Sequence, residues 1–198
     1  MGRFFSDNGY VFFVPHRRSH GRSPRDAQVD ALYNSGASGV VALHEIHLQD
    51  QLAALEYLRR LPGVDPDRIA VAGCSYGGIQ TVLALEAGAE GKASFRAAVD
   101  FAGGAQTWRH SPALQQKLLV AVRKAAVPVM FVQAENDYDL TPSHAMAKEL
   151  GKLGKPHKLS IYPPYGSSVR DGHGGFCGRG VTVWGPDVLG FLDAALKN

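Results

Sequence analysis

No stretch of this 198-residue chain approaches the roughly 18 apolar residues that a membrane span requires. The longest apolar run near the start, Tyr10 to Pro15, is too short for the core of a signal peptide, and no small-residue cleavage site follows it. With no signal peptide and no membrane partner, the expected location is cytoplasmic. Cysteine is scarce. Two residues, Cys74 and Cys177, are too few for a disulfide scaffold, and their spacing fits no zinc pattern. They read as free thiols of a reducing compartment, with a bridge between them as the minor alternative. His44 and His47, in Leu43-His44-Glu45-Ile46-His47, lack the spacing of a His-Glu-x-x-His zinc site. They read as one face of a helix, and no metal is expected.

Repeats, low-complexity tracts and linkers are missing too, so residues 1–198 are expected to form a single domain. Hydrophobic residues make up 45% and charged residues 20%, a balance suited to a packed core. The net charge is only +3 and the isoelectric point about 8.9. Neither implies nucleic acid. The one dense basic stretch, His16 to Arg22 with Arg25 beyond it, carries no aromatic platform or recognised binding motif. Such a run is ordinarily a solvated loop. The sequence leaves association into a homo-oligomer open.

Short β-rich runs alternate with helical patterns, the mark of an α/β fold with a mostly parallel sheet and helices on both faces. Five strands are expected: Tyr10–Val14, Arg68–Gly73, Phe95–Phe101, Val127–Val132 and His157–Tyr162. Helices are expected near 27–34, over 41–60, over 77–87, from Ser111-Pro112 and from Thr141-Pro142, with Ser and Thr as N-caps ahead of Pro. The glycine-rich stretch 163–183 reads as a loop, and a last helix as starting at Gly185-Pro186-Asp187.

In a parallel sheet, function collects at the carboxyl ends of the strands. Three of the following loops carry chemistry. Gly73-Cys74-Ser75-Tyr76-Gly77-Gly78 fits Gly-x-Ser-x-Gly between a strand and a helix, so Ser75 is the candidate nucleophile. The glycines two before and two after it are expected where neighbouring backbones leave no room for a side chain. The Tyr76 N–H at the helix start is the candidate oxyanion donor. A serine needs a base, and His173, flanked by glycines in Asp171-Gly172-His173-Gly174-Gly175-Phe176, is the candidate. His16, His20, His110, His144 and His157 have no comparable setting. The base needs an orienting carboxylate. Asp137 is chosen from Glu135-Asn136-Asp137-Tyr138-Asp139, with Asp139 the competitor and Glu135 weaker. The order Ser, Asp, His, each after its own strand, is that of the α/β-hydrolases. Because the basic run follows a strand, Arg17, Arg18 and His20 are placed on the site side, where they would favour an ester bearing a carboxylate.

With Gly9–Pro15, Val64–Gly78, the Asp137 loop and Asp171–Phe176, the chain resembles the dienelactone hydrolase-like branch of the α/β-hydrolases, close to prolyl oligopeptidase-like catalytic domains. The resemblance implies a serine hydrolase working through Ser75, His173 and Asp137 on small-molecule esters, without cofactor or metal. Dienelactone hydrolases proper carry cysteine at the nucleophile position. Ser75 there, with Cys74 one place earlier, moves the expectation from lactones towards ordinary esters. The family fold has further strands before the counterpart of Tyr10–Val14, one of which lies between that strand and the counterpart of Ile69–Gly73. The resemblance therefore implies an N-terminally shortened domain, lacking the loop that supplies a second oxyanion amide. Two other readings stay open: a prolyl oligopeptidase-like peptidase, and a non-catalytic binding domain with the hydrolase fold.

Overall fold

The structure, a computed structural model, describes residues 1–197. Four parallel strands form one sheet in the order β1-β2-β3-β4: β1 Ala70–Cys74, β2 Ala97–Phe101, β3 Val129–Ala134 and β4 His157–Tyr162. Ala72 registers with Val99, Val99 with Met130, and Met130 with Lys158. The helices are α1 Gly2–Asp7, α2 Ala27–Asn34, α3 Val40–Leu58, α4 Tyr76–Ala89, α5 Pro112–Arg123, α6 Thr141–Lys152, α7 Phe176–Arg179 and α8 Val181–Leu196. Single helices α4, α5 and α6 join successive strands, as parallel pairing requires.

The central strands β2 and β3 are buried along their whole length, because helices cover both faces of the sheet. Their side chains alternate between two cores. Ala98, Val129 and Phe131 pack with Leu83, Leu114, Leu118 and Met146 from α4, α5 and α6. Val99, Phe101, Met130 and Val132 pack on the other face with Phe5, Phe176, Trp184 and Val188. Trp184 is the pivot of that second core. It is fully buried, meets Phe101 edge-on at 4.8 Å, and donates its indole N–H to Phe176 O at 2.9 Å.

Three expectations from the sequence are corrected here. Tyr10–Val14 is extended but belongs to no strand. The Tyr10 N–H turns back to Phe5 O, Phe12 stacks on Phe5 at 5.4 Å, and Val11 and Val14 are exposed. An alternating apolar run signals an extended segment, but a strand also needs a neighbour presenting a ladder. Here side-chain packing on α1 and α8 substitutes for pairing, and the Tyr10 hydroxyl binds Asp193.

The glycine-rich stretch after β4 is not all loop. A wide π-helical turn covers Asp171–Gly175, α7 follows, and α8 starts at Val181 rather than Gly185. Asp171 stabilises the start of this turn by accepting from Ser168 Oγ at 2.8 Å and from Ser167 N–H at 3.3 Å. Composition alone hides such capping.

Third, Ser111 does cap α5, accepting from Leu114 N–H, but Thr141 is the first residue of α6 and not its cap. Leu140 holds the N-cap position, and Asp139 before it accepts from the Thr141 N–H at 2.9 Å.

Trp184→Ala is expected to cost about 3–5 kcal/mol, since a large buried aromatic leaves a cavity that the sheet cannot close. For a domain of this size, that lowers the melting temperature by about 10 °C, measurable by thermal denaturation.

Candidate active site

Ser75 follows β1 directly and precedes α4. Its backbone has φ 56 and ψ −110, a conformation that costs a non-glycine residue about 1–3 kcal/mol. Two hydrogen bonds hold it there: the Ser75 N–H to Phe101 O at 2.8 Å, and the Ile79 N–H to Ser75 O at 3.1 Å. The turn is tight because of two glycines. A Cβ on Gly73 would lie 2.2 Å from Gly77 O, and one on Gly78 would lie 2.3 Å from Asp100 Oδ1 and 2.7 Å from Gly103 Cα. Gly77, by contrast, faces open space. The close approach expected at Gly77 therefore falls on its neighbour.

His173 sits at the centre of the π-helical turn, nearly buried, with Nε2 2.8 Å from Ser75 Oγ. Its Nδ1 lies 2.8 Å from Asp137 Oδ1, an approach too bent for an aligned hydrogen bond but close enough for strong attraction to an imidazolium. The partners assign the neutral tautomer: Nδ1–H towards the carboxylate, and Nε2 free to accept from the serine hydroxyl. Tyr138 packs edge-on against the ring at 5.2 Å.

Asp137 and not Asp139 stands beside His173. The Asp137 carboxylate accepts from the Tyr138 N–H at 2.6 Å and from Gln133 Nε2 at 3.0 Å. Asp139 instead pairs with Arg109 at 3.0 Å while accepting from the Thr141 N–H at the start of α6. Burial opposes ionisation of Asp139, but its hydrogen bonds and Arg109 prevail and hold its carboxyl below the usual range.

Several residues that hold this arrangement carry no signal in the sequence. Gln133 is fully buried on β3 and spans Asp137 Oδ2 and Asp139 O, while its own Oε1 accepts from Ser143 Oγ. Asn136 ties the Asp137 loop to the His173 segment. Its amide donates to Tyr165 O and Ser168 O at 3.0 Å, and its Oδ1 accepts from the Tyr165 N–H at 2.9 Å. Gly172 lets the two loops meet, since a Cβ there would fall 2.5 Å from Asn136 Oδ1.

The two cysteines are not free thiols. Cys74 and Cys177 are joined by a disulfide, Cα atoms 6.1 Å apart. The signal was available: Cys74 flanks Ser75 and Cys177 follows His173 closely, so a fold that joins the two loops also brings the sulfurs together. The pairing removes the free thiols on which the expectation of a reducing compartment rested.

A cavity of about 300 Å³ opens at Ser75, walled by Leu32, Val40, Leu43, His44, Tyr76 and Ile79. His44 and His47 are buried and gather around Tyr76. The His44 ring stacks on Tyr76 at 4.0 Å, and His47 Nδ1 is 2.5 Å from the Tyr76 hydroxyl. Gln80 Nε2 donates to both His44 O and His44 Nδ1, which places the His44 proton on Nε2. Burial first, then the nearby positive charges, lower His44 to about 3 and His47 to about 4, so both rings are neutral at neutral pH. Burial also pushes up the Tyr76 hydroxyl.

The basic run divides in two. Arg17 lies over the Tyr76 ring at 4.2 Å and reaches His20 Nε2 at 2.8 Å, and His20 also contacts the Tyr33 hydroxyl. Arg18 turns away, with Nη2 2.6 Å from Asp50 Oδ1 and a longer contact to Asp26.

Asp100 lies under the turn, wholly buried, accepting from the Gly103 N–H at 2.7 Å. Burial pushes its carboxyl up to about 7 from 3.8, against that hydrogen bond. In the folded state it therefore keeps a proton that the unfolded chain releases. Its contribution to stability is present below about pH 4 and is lost as pH rises through about 7. In urea unfolding at pH 5 and pH 7.5, Asp100→Asn is expected to gain stability relative to the parent at the higher pH. Equal changes in the two proteins would contradict the buried-proton assignment.

The profile of the dienelactone hydrolase family matches residues 1–169. Over 54 residues, or 27% of this chain, the sequence is 44% identical to a probable dipeptidyl-aminopeptidase B of Metarhizium robertsii, 6% of whose length it spans. Among solved structures, the fold is similar to esterase B of Lactobacillus rhamnosis, with TM-score 0.60, 16% identity, and 77% of this chain against 61% of that one. It is also similar to MGS-M1, an α/β-hydrolase enzyme from a deep-sea metagenome, with TM-score 0.55, 21% identity, and 77% against 65%. This chain thus spans less than two thirds of each of these proteins. At such identities the structural likenesses speak to the fold, which is that of the α/β-hydrolases. The profile covers most of the sequence, and the chain belongs to the dienelactone hydrolase family.

Proposed function

We propose that this chain is a serine hydrolase of small-molecule carboxylic esters, with Ser75 as nucleophile, His173 as general base and acid, and Asp137 as the orienting carboxylate. One observation carries the reading: Ser75 Oγ lies 2.8 Å from His173 Nε2, with Asp137 2.8 Å behind the ring, at the mouth of a largely apolar cavity. In this mechanism His173 takes the hydroxyl proton as Ser75 attacks the ester carbonyl. Asp137 stabilises the imidazolium that forms. The Tyr76 N–H, first in α4, donates to the oxyanion, where the helix N-terminus also favours negative charge. His173 then protonates the departing alcohol, and water, activated by the same imidazole, releases the acid. Each step uses this chain's side chains and backbone, with water as co-substrate.

Arg17 is the cation of the basic run that lies against Tyr76, a residue of the cavity wall. We place on it a preference for esters carrying a carboxylate. Arg18 is committed to Asp50 and serves the fold.

A peptidase is the second reading, favoured by the 44% identical stretch shared with the dipeptidyl-aminopeptidase. It uses the same three residues, so the leaving group distinguishes the two. Activated neutral esters, half-esters of dicarboxylic acids and aminoacyl-proline anilides form a discriminating panel. Ester hydrolysis is expected to dominate, and anilide cleavage at comparable kcat/KM would favour the peptidase. Ser75→Ala and His173→Ala are each expected to lower kcat by about 10⁴–10⁶-fold, and Asp137→Asn by about 10⁴-fold. The Ser75→Ala/His173→Ala double variant should be no slower than either single one, because the residues act as a unit. Arg17→Gln is expected to raise KM for the half-esters alone.

A further inference from the structure

The disulfide occupies an unusual place relative to the site. Cys74 is the last residue of β1, and the next residue is Ser75. Cys177 lies in α7, one helical turn beyond His173. The bond closes a span of 103 residues and ties the nucleophile's strand to the segment that carries the base.

What else holds that segment matters. Asn136 anchors Tyr165 and Ser168 to the Asp137 loop, ahead of His173. Arg179 reaches back only to Asp171, within the same segment, and the indole of Trp184 binds Phe176 O. These contacts, together with Phe176 packed in the core beside Phe101 and Tyr162, fix the segment to the loop after β3, to the sheet and to α8. Towards Ser75 the hydrogen bond is the one from the catalytic geometry, 2.8 Å between His173 Nε2 and Ser75 Oγ. That bond must break and reform in each turnover of the proposed mechanism, so it cannot also serve as the anchor.

β1 is the edge strand of the sheet, and Cys74 at its end is half-buried, while Cys177 is nearly buried among Phe176 and Trp184. The bond thus lies at the margin of the second core, beneath the edge strand, rather than between the central strands β2 and β3.

We propose that the Cys74–Cys177 disulfide is a positioning element of the active site: it holds His173 in line with Ser75 and makes hydrolysis depend on the redox state of the protein. The inference rests on the reading of Ser75 and His173 as nucleophile and base. The step is ordinary thiol–disulfide exchange. A thiolate of an external dithiol attacks one sulfur and expels the other as thiolate. The second thiol of the reagent then resolves the mixed disulfide, leaving two cysteine thiols and the oxidised, cyclic reagent. Two electrons pass from the dithiol to the protein, and oxidation reverses the change. A shift of the base by about 1 Å from the attack geometry costs on the order of 100-fold in rate.

The test measures ester hydrolysis by the full chain before reduction with dithiothreitol, after it, and after reoxidation, with circular dichroism on each sample. Cys74→Val/Cys177→Ala, which keeps the apolar volume, is assayed beside it. Expected is a fall in kcat of about 10–100-fold on reduction, with KM within about twofold, recovery on reoxidation, and a low, reductant-insensitive kcat in the variant. A bond that merely stabilises the fold would leave kcat of folded protein unchanged. Full kcat in folded, reduced protein or in the folded variant overturns the positioning role alone. Unfolding of both samples also overturns it, since the bond would then staple the domain and not the site. No Ser75-dependent hydrolysis in the oxidised protein overturns the reading of the site itself, an outcome distinct from the other two.

Discussion

All four strands run in one direction, and that constraint places everything else at the site. Parallel pairing of β1 with β2, β2 with β3 and β3 with β4 puts every strand's carboxyl end at one rim. Ser75, Asp137 and His173 follow β1, β3 and β4 at that rim and come within hydrogen-bond reach, although 98 residues separate serine from histidine. The rim is crowded, and small residues relieve the crowding. Gly73 and Gly78 admit the backbones around Ser75, and Gly172 admits Asn136 beneath His173. Each sits where a single methyl group would strike a neighbouring atom, so packing and chemistry are coupled at these points.

The site also shows how burial sets charge. His44 and His47 are kept neutral around Tyr76, and burial raises the Asp100 carboxyl beneath the turn to about 7. The positive Arg17 is therefore the principal fixed charge beside the Tyr76 ring, and the Asp137 carboxylate lies on the opposite side of the proposed nucleophile, behind His173. Under the proposed function, such a layout would admit a neutral ester to a largely apolar cavity with Ser75 at its wall.

Much of this was legible in the sequence because it rests on local rules. Gly-x-Ser-x-Gly between an apolar run and a helical pattern located Ser75, and the glycines around His173 with the acidic loop after Val132 located its partners. What was not legible depends on which particular side chains meet, whether near or far in sequence. Tyr10–Val14 has the composition of a strand, yet whether it pairs is decided by a neighbour, and here its side chains pack on Phe5 while its backbone joins no ladder. The choice between Asp137 and Asp139 turned on Gln133 and Arg109, neither near in sequence to His173. The disulfide follows from bringing two loops together, which cysteine counting cannot see. Glycine content misread the segment after β4, since the caps from Ser167 and Ser168 to Asp171 create helix where composition suggests loop.

The proposed chemistry stands on activation of Ser75 by His173. The most direct measurement is intact-mass and peptide mapping of the oxidised chain after exposure to a fluorophosphonate, beside folded His173→Ala. Expected is one covalent adduct, on the peptide containing Ser75, formed at least about 1,000-fold faster in the parent than in the variant. No adduct on folded protein, or one that forms equally fast without His173, would contradict it.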